Sequence, residues 1–274
     1  MPDPAPGRRI LRLTLTRLRS GCGGVRETPD VRPDELLQEV AQSESRLARR
    51  LAMLTEADLR QPSPLPGWSR AHVVAHLAGN AKAFANALER VAAGEVPEQY
   101  PGGRAARDAE IEAWAALARD ELLARAADAA ASLSAAWGRL DAEAWAKGEV
   151  RTLAGLLPVA ELPFRRLREV EVHLVDLGVG IEPRDWPSDY VVGELDRSLP
   201  GLAARLPGGT TLVLSVDLPD GRQVSAELGS GPSSAEVAAP AAEVVAWLVG
   251  RLRPEGWPEL GPWAPGLPDL SWRS

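Results

Sequence analysis

A chain of 274 residues, 45% hydrophobic and 25% charged, has the balance of a globular protein and enough apolar material for a sizeable core. A formal net charge of -7 argues against nucleic acid as a partner, and the lack of any run of about 18 uninterrupted apolar residues argues against a spanning helix. One cysteine, Cys22, excludes an internal disulfide framework and, with no export signal, fits a reducing cytoplasm; small molecules or proteins remain as partners, and the oligomeric state stays open.

Residues 1–30 are basic in an otherwise acidic chain, with Arg8, Arg9, Arg12, Arg17, Arg19 and Arg26. Arginines interrupt the apolar centre that a signal peptide needs, so this stretch reads as a loose extension. From Pro33 onward, Leu36, Leu37, Val40, Leu47, Leu51 and Leu54 recur at helical spacing and predict an amphipathic helix through the run ending at Leu59. A proline-rich turn, QPSPLPGW, precedes Ser69, which suits the N-cap of a second helix closing at Gly94. His72, His76 and Asn80 step along one stripe of it. A loop carrying Tyr100, Gly102 and Gly103 leads into an alanine-rich stretch predicted as helix from Asp108 to Trp137, then an irregular stretch over 138–162.

The next run, Arg165–Gly178, is read as a helix with Pro163 in its first turn and Gly178 as a left-handed cap. Four main helices with short connections predict a bundle over residues 31–180. Past Gly178 the text changes to a Pro/Trp-rich junction and a helix from Tyr190 to Leu206. A β-hairpin follows around Pro219-Asp220-Gly221, then a short helix within residues 239–252. Residues 181–274 are therefore expected to form a smaller mixed α/β domain, and the whole chain an α+β fold.

The three histidines all stand four residues from another possible ligand: His72 with His76, and Glu169 with His173. Four residues along a helix bring two side chains one above the other, a chelating geometry. Two helices of a bundle presenting such pairs inward can hold a Zn²⁺-like ion. The competing reading makes the histidines hydrogen-bonded polar groups, with Glu169 paired to Arg165 or Arg166 on a solvated face. Glu171 and Asp176 point elsewhere on the helix and are expected at the surface or behind the ligands. No nucleophile elbow, phosphate-cradling loop or dinucleotide fingerprint occurs.

The segments LPGWSRAHVVAHLAGNA, YPGGRAARDAEIE and REVEVHLVDLG, in this order and followed by AWLVGR, resemble the mycothiol-dependent maleylpyruvate isomerase family, related to DinB-like helical bundles. The resemblance implies a divalent metal, usually zinc, held by His76, Glu169 and His173, with a packing or supporting role for His72. It also implicates an arginine late in the chain, best matched by Arg251, whose alternative reading is a helix C-terminal cation. Cys22 lies in the extension, so the thiol would come from mycothiol. The implied reaction is cis–trans isomerisation of maleylpyruvate by thiolate addition, rotation and elimination, with Arg251 on a substrate carboxylate. A thiol S-transferase on the same scaffold and a noncatalytic metal-binding regulatory module are the alternatives.

Overall fold

The computed structural model describes Leu11–Arg12 and residues 33–261. The chain divides into two compact units, Gly24–Ile181 and Glu182–Ser274 with Met1–Gly23. The expectation of a loose extension over residues 1–30 lies outside the described residues except at Leu11–Arg12. These form a two-residue strand (β1) in parallel register with Val224 and Ser225.

In the helical unit the leucine spacing forms α1 (Asp34–Ala52), which buries Val40, Leu47 and Leu51 on one face. The expected continuation to Leu59 is corrected. The chain leaves the helix at Met53, and Thr55 restarts it as α2 (Glu56–Arg60) through a capping box with Asp58. Helix α3 (Arg70–Ala92) begins after the extended Ser69 and is buried almost all round. Its small residues, among them Ala75, Ala78 and Ala81, admit neighbours on several sides.

The alanine-rich run is two helices rather than one, α4 (Gly103–Ala115) and α5 (Arg119–Arg139). Propensity favours continuity, and tertiary partners override it. Arg60 of α2 donates to Ala115 O and Leu117 O, both at 2.6 Å, while Glu56 accepts the Arg119 N–H at 2.7 Å. One side-chain pair thus satisfies orphan groups at the end of α4 and the start of α5.

The stretch 138–162, expected to be irregular, contains α6 (Ala142–Lys147) and an antiparallel hairpin of β2 (Glu149–Thr152) and β3 (Gly155–Pro158). Four-residue strands are too short for alternation to stand out. Gly148 is required before the hairpin, because a Cβ there would lie 2.4 Å from Ala144 O and 2.7 Å from Val91 Cγ1. A short 3-10 turn then delivers α7 (Leu162–Asp176). Helices α1, α3, α5 and α7 form the bundle, α1 against α5 and α7 and α3 against the same two. One core cluster is built on Phe84, Leu88, Leu133, Trp137 and Leu162.

In the second unit α8 (Ser188–Leu202) passes into a 3-10 turn at Ala203–Arg205, so the helix expected from Tyr190 to Leu206 starts and ends earlier. The predicted hairpin is present as β4 (Thr210–Asp217) and β5 (Gln223–Gly229), with Gly221 at φ 82 in the turn. An unexpected strand, β6 (Ser233–Pro240), pairs in parallel with β4 and completes the order β1-β5-β4-β6. Its serine and alanine content hides it, since both residues are poor strand formers. Helix α9 (Ala241–Leu248) packs against β4 and β6. The fold is α+β, a four-helix bundle followed by a smaller helix-and-sheet unit. Among the described residues no helix is long and apolar enough to cross a membrane.

Leu212 on β4 is fully buried. Leu212→Ala is expected to cost about 2–5 kcal/mol through lost burial and the cavity left behind. Urea unfolding followed on the sheet transition measures it.

Candidate metal centre

The site begins with how α7 is pinned. Pro163 sits in its first turn, and Gly178 takes φ 62 after the C-cap Leu177. The proline-rich turn before α3 closes on this end: Ser63 Oγ donates to Asp176 O at 2.6 Å and Arg70 Nε to Leu177 O at 2.8 Å. A Cβ at Gly178 would stand 3.0 Å from Pro64 Cδ, so the close approach and the left-handed backbone both call for glycine. The N-terminal turn of α3 is thereby fixed against the C-terminal turn of α7.

That fixation sets His76 of α3 opposite Glu169 and His173 of α7. His76 Nε2 lies 2.7 Å from Glu169 Oε2, and His173 Nε2 lies 3.5 Å from the same oxygen. The imidazole rings meet edge to face with centroids 4.6 Å apart. One ligand atom from each of the three residues falls within 4.8 Å of the others, the one such group of His, Cys, Asp and Glu side chains among the described residues. Ligand bonds of about 2.1 Å in a tetrahedron put donors about 3.4 Å apart, so the cluster needs little adjustment to close on an ion. His76 is buried, while the Glu169 side chain keeps 27% of its exposure and opens the cluster to solvent.

Asp176, fully buried, accepts from His173 Nδ1 at 2.7 Å and so turns Nε2 toward Glu169. Burial pushes His76 down to about 4, against the pull of Glu169. Burial alone would raise Glu169, but hydrogen bonds from His173 and His76 outweigh it and hold the carboxyl well below its usual range. Burial likewise opposes a charged His173, yet the carboxylates of Asp176 and Glu169 raise its pKa. The cluster offers a neutral imidazole, an ionised carboxylate and an imidazole whose proton an incoming cation must displace.

His72 stands apart from the cluster. Its Nδ1 accepts the Ser69 N–H at 3.2 Å in the first turn of α3, and its Nε2 lies 3.3 Å from Glu112 Oε2. Glu169 meets the two imidazoles, and the alternative pairing with Arg166 gives way because Arg166 bonds Glu44, Leu77 O and Asn80 Oδ1. Glu171 is corrected from a surface position to full burial, beside Ser43 Oγ at 2.5 Å and Arg46 Nη1 at 3.2 Å. Arg251 belongs to the second unit, just after α9. Its backbone N–H donates to Ala246 O at 2.6 Å and its Nη1 to Val249 O at 2.7 Å, as a cation at a helix C-terminus does.

Three neighbours of the cluster were not singled out from the sequence. Trp68 lies against His76 with centroids 5.7 Å apart, Arg107 Nη2 is 3.1 Å from His76 Nδ1, and the Arg107 guanidinium lies 5.9 Å from the Tyr100 ring centroid. Tyr100 and Arg107 belong to the YPGGRAARD segment, whose adjacency to the histidine segments was the available signal.

Residues 26–178 match the family described as the mycothiol maleylpyruvate isomerase N-terminal domain, over more than half of the chain. The chain belongs to this family. Two solved structures are similar, both with a TM-score of 0.71 and 27% identity. One is the mycothiol-dependent maleylpyruvate isomerase, with 88% of this chain and 99% of that one covered. The other is a histidine-to-alanine mutant of a protein so titled, with 83% and 93% covered. No curated protein matches the sequence significantly.

In this member of the mycothiol maleylpyruvate isomerase family, Asp176→Asn is expected to weaken metal binding by about 10–100-fold, the usual cost of an outer partner of a ligating histidine. Because the raised pKa of His173 makes the proton a stronger competitor, affinity in the wild type rises with pH through and beyond the ordinary imidazole value of 6.5. The variant holds that proton less tightly, so its rise occurs at lower pH. Chelator competition across pH reads both effects.

Proposed function

We propose that this protein is a metal-dependent isomerase that uses a low-molecular-weight thiol, mycothiol, to convert the cis double bond of maleylpyruvate into the trans bond of fumarylpyruvate. The observation that carries the reading is the convergence of His76, Glu169 and His173 from two helices in a chain 27% identical to an isomerase of that title. Three protein ligands leave coordination positions open, as a catalytic rather than structural zinc site requires. When bound, the ion would lower the pKa of a thiol from about 8.5, and the thiol would supply a nucleophile whose reversible addition frees the double bond to rotate.

The chain's own residues set the conditions for that chemistry. Glu169 brings negative charge to the ligand set, and Asp176 fixes which nitrogen of His173 faces inward. Trp68 lies against one side of His76. Arg251 is assigned to a carboxylate of the substrate, on the strength of the AWLVGR segment. A reducing cytoplasm suits a free thiol cofactor.

The test offers the zinc-loaded protein mycothiol and either maleylpyruvate or a general electrophile such as a bimane. Thiol-dependent appearance of fumarylpyruvate supports the isomerase. Thiol conjugation of the electrophile without isomerisation would replace it with an S-transferase.

A further inference from the structure

The two ligating histidines are supported in opposite ways. His173 Nδ1 faces a carboxylate, whereas His76 Nδ1 faces the Arg107 guanidinium at 3.1 Å. An imidazole that ligates through Nε2 carries its hydrogen on Nδ1, and a guanidinium has five donors and no acceptor. Arg107 therefore cannot do for His76 what Asp176 does for His173. A fixed positive charge beside a divalent cation is also repelled, unless an anion offsets both.

Glu169 brings one anion to the cluster, but its contacts go to the two histidines and not to Arg107. Among the described residues, the carboxylate on Arg107 is Asp108, its chain neighbour, 2.6 Å from Nη1 and 53% exposed, where water screens it. With His76 and Tyr100 as its remaining neighbours, Arg107 keeps donor hydrogens for an incoming group. The side chain is itself only 18% exposed and held in place. Tyr100, beside it, is positioned by Asn80 Nδ2 at 3.5 Å, and Asn80 is fixed by the buried Arg166 at 2.9 Å. A guanidinium fork with a phenol hydroxyl alongside matches a carboxylate, which can take two parallel N–H bonds and a third from the hydroxyl.

We propose that Arg107, supported by Tyr100, binds a carboxylate of the substrate next to the metal centre. Maleylpyruvate carries a carboxylate at each end, so this assignment stands beside that of Arg251 rather than replacing it. It rests on the isomerase reading only for the identity of the dicarboxylate.

Calorimetric titration of maleate into the zinc-loaded full-length protein tests it, with the neutral diamide of maleate as the uncharged control. Maleate is expected to bind the wild type, at least tenfold more weakly to Arg107→Gln, and with intermediate strength to Arg107→Lys. Zinc content should be equal in all three proteins, and the diamide should not discriminate among them. Binding within twofold in wild type and Arg107→Gln would overturn the assignment, as would absence of maleate binding to the wild type. Loss of zinc in Arg107→Gln would overturn it too, by giving Arg107 a part in holding the ion. Failure of the isomerase reading looks different: Arg107-dependent maleate binding would persist while maleylpyruvate stayed unconverted.

Discussion

Alanine at His76, Glu169 or His173 is expected to leave the purified protein without a stoichiometric divalent ion and without isomerase activity. The three losses are not equivalent. Glu169 is the one anion among the ligands, and its removal leaves a dication facing two neutral imidazoles, so Glu169→Ala should be the most severe. His76→Ala leaves the Glu169 and His173 pair on α7 as a weaker chelate, and some ion should return at high concentration. Each effect should exceed the 10–100-fold typical of an outer partner. Glu169→Gln isolates charge from shape: it keeps the side-chain volume against His76 while removing the anion. Atomic emission after dialysis reads metal content, and circular dichroism separates ligand loss from unfolding. Equal metal content in all the variants and the wild type, or none in the wild type, would refute the ligand set.

Arg166→Met is expected to cost the helical unit about 3–5 kcal/mol, the price of breaking a buried ion pair from one side. At roughly 2–4 °C per kcal/mol for a unit of this size, its Tm should fall by about 10 °C. Arg166 is 1% exposed and reaches three places at once. Its Nε donates to Glu44 on α1 at 2.6 Å, and its Nη1 donates to Leu77 O and Asn80 Oδ1 on α3, both at 2.9 Å. Methionine fills the volume but leaves the Glu44 carboxylate and Asn80 Oδ1 without the guanidinium, while the Leu77 carbonyl keeps only its place in the helix. Because Leu77 adjoins His76, metal affinity should weaken in the same variant even though no ligand is touched. Thermal unfolding with and without zinc measures both, and a loss below about 1 kcal/mol would mean that water replaces the guanidinium.

The bundle was legible in the sequence wherever burial is one-sided or punctuation is strong. The leucine stripe of α1, Ser69 before α3, and Pro163 and Gly178 around α7 carry their own signals in local chemistry. The break between α4 and α5 has no such signal, because it is imposed by Arg60 and Glu56, more than fifty residues upstream. Strand β6 was hidden for a related reason: its pairing with β4 comes from sheet context, not from its serines and alanines. At the site, the i,i+4 spacing of Glu169 and His173 was readable as geometry, but the choice of His76 over His72 was not. That choice depends on the turn of α3 that faces α7, while the first turn uses His72 to accept from Ser69. Tyr100 escaped because a lone tyrosine in a glycine-rich loop has no spacing to betray it, and Arg107 because one arginine in the first turns of α4 looks like any solvated helix cation.

Two ligands and the aspartate that orients one of them ride on α7, and only His76 comes from elsewhere. An ion in this cluster would therefore act as a removable cross-link between α3 and α7, which the chain otherwise joins through some 70 intervening residues. By mass action such a link adds about 4 kcal/mol when free ion stands a thousandfold above its dissociation constant. That gain belongs to the folded helical unit, whose resistance to unfolding would follow cellular metal supply.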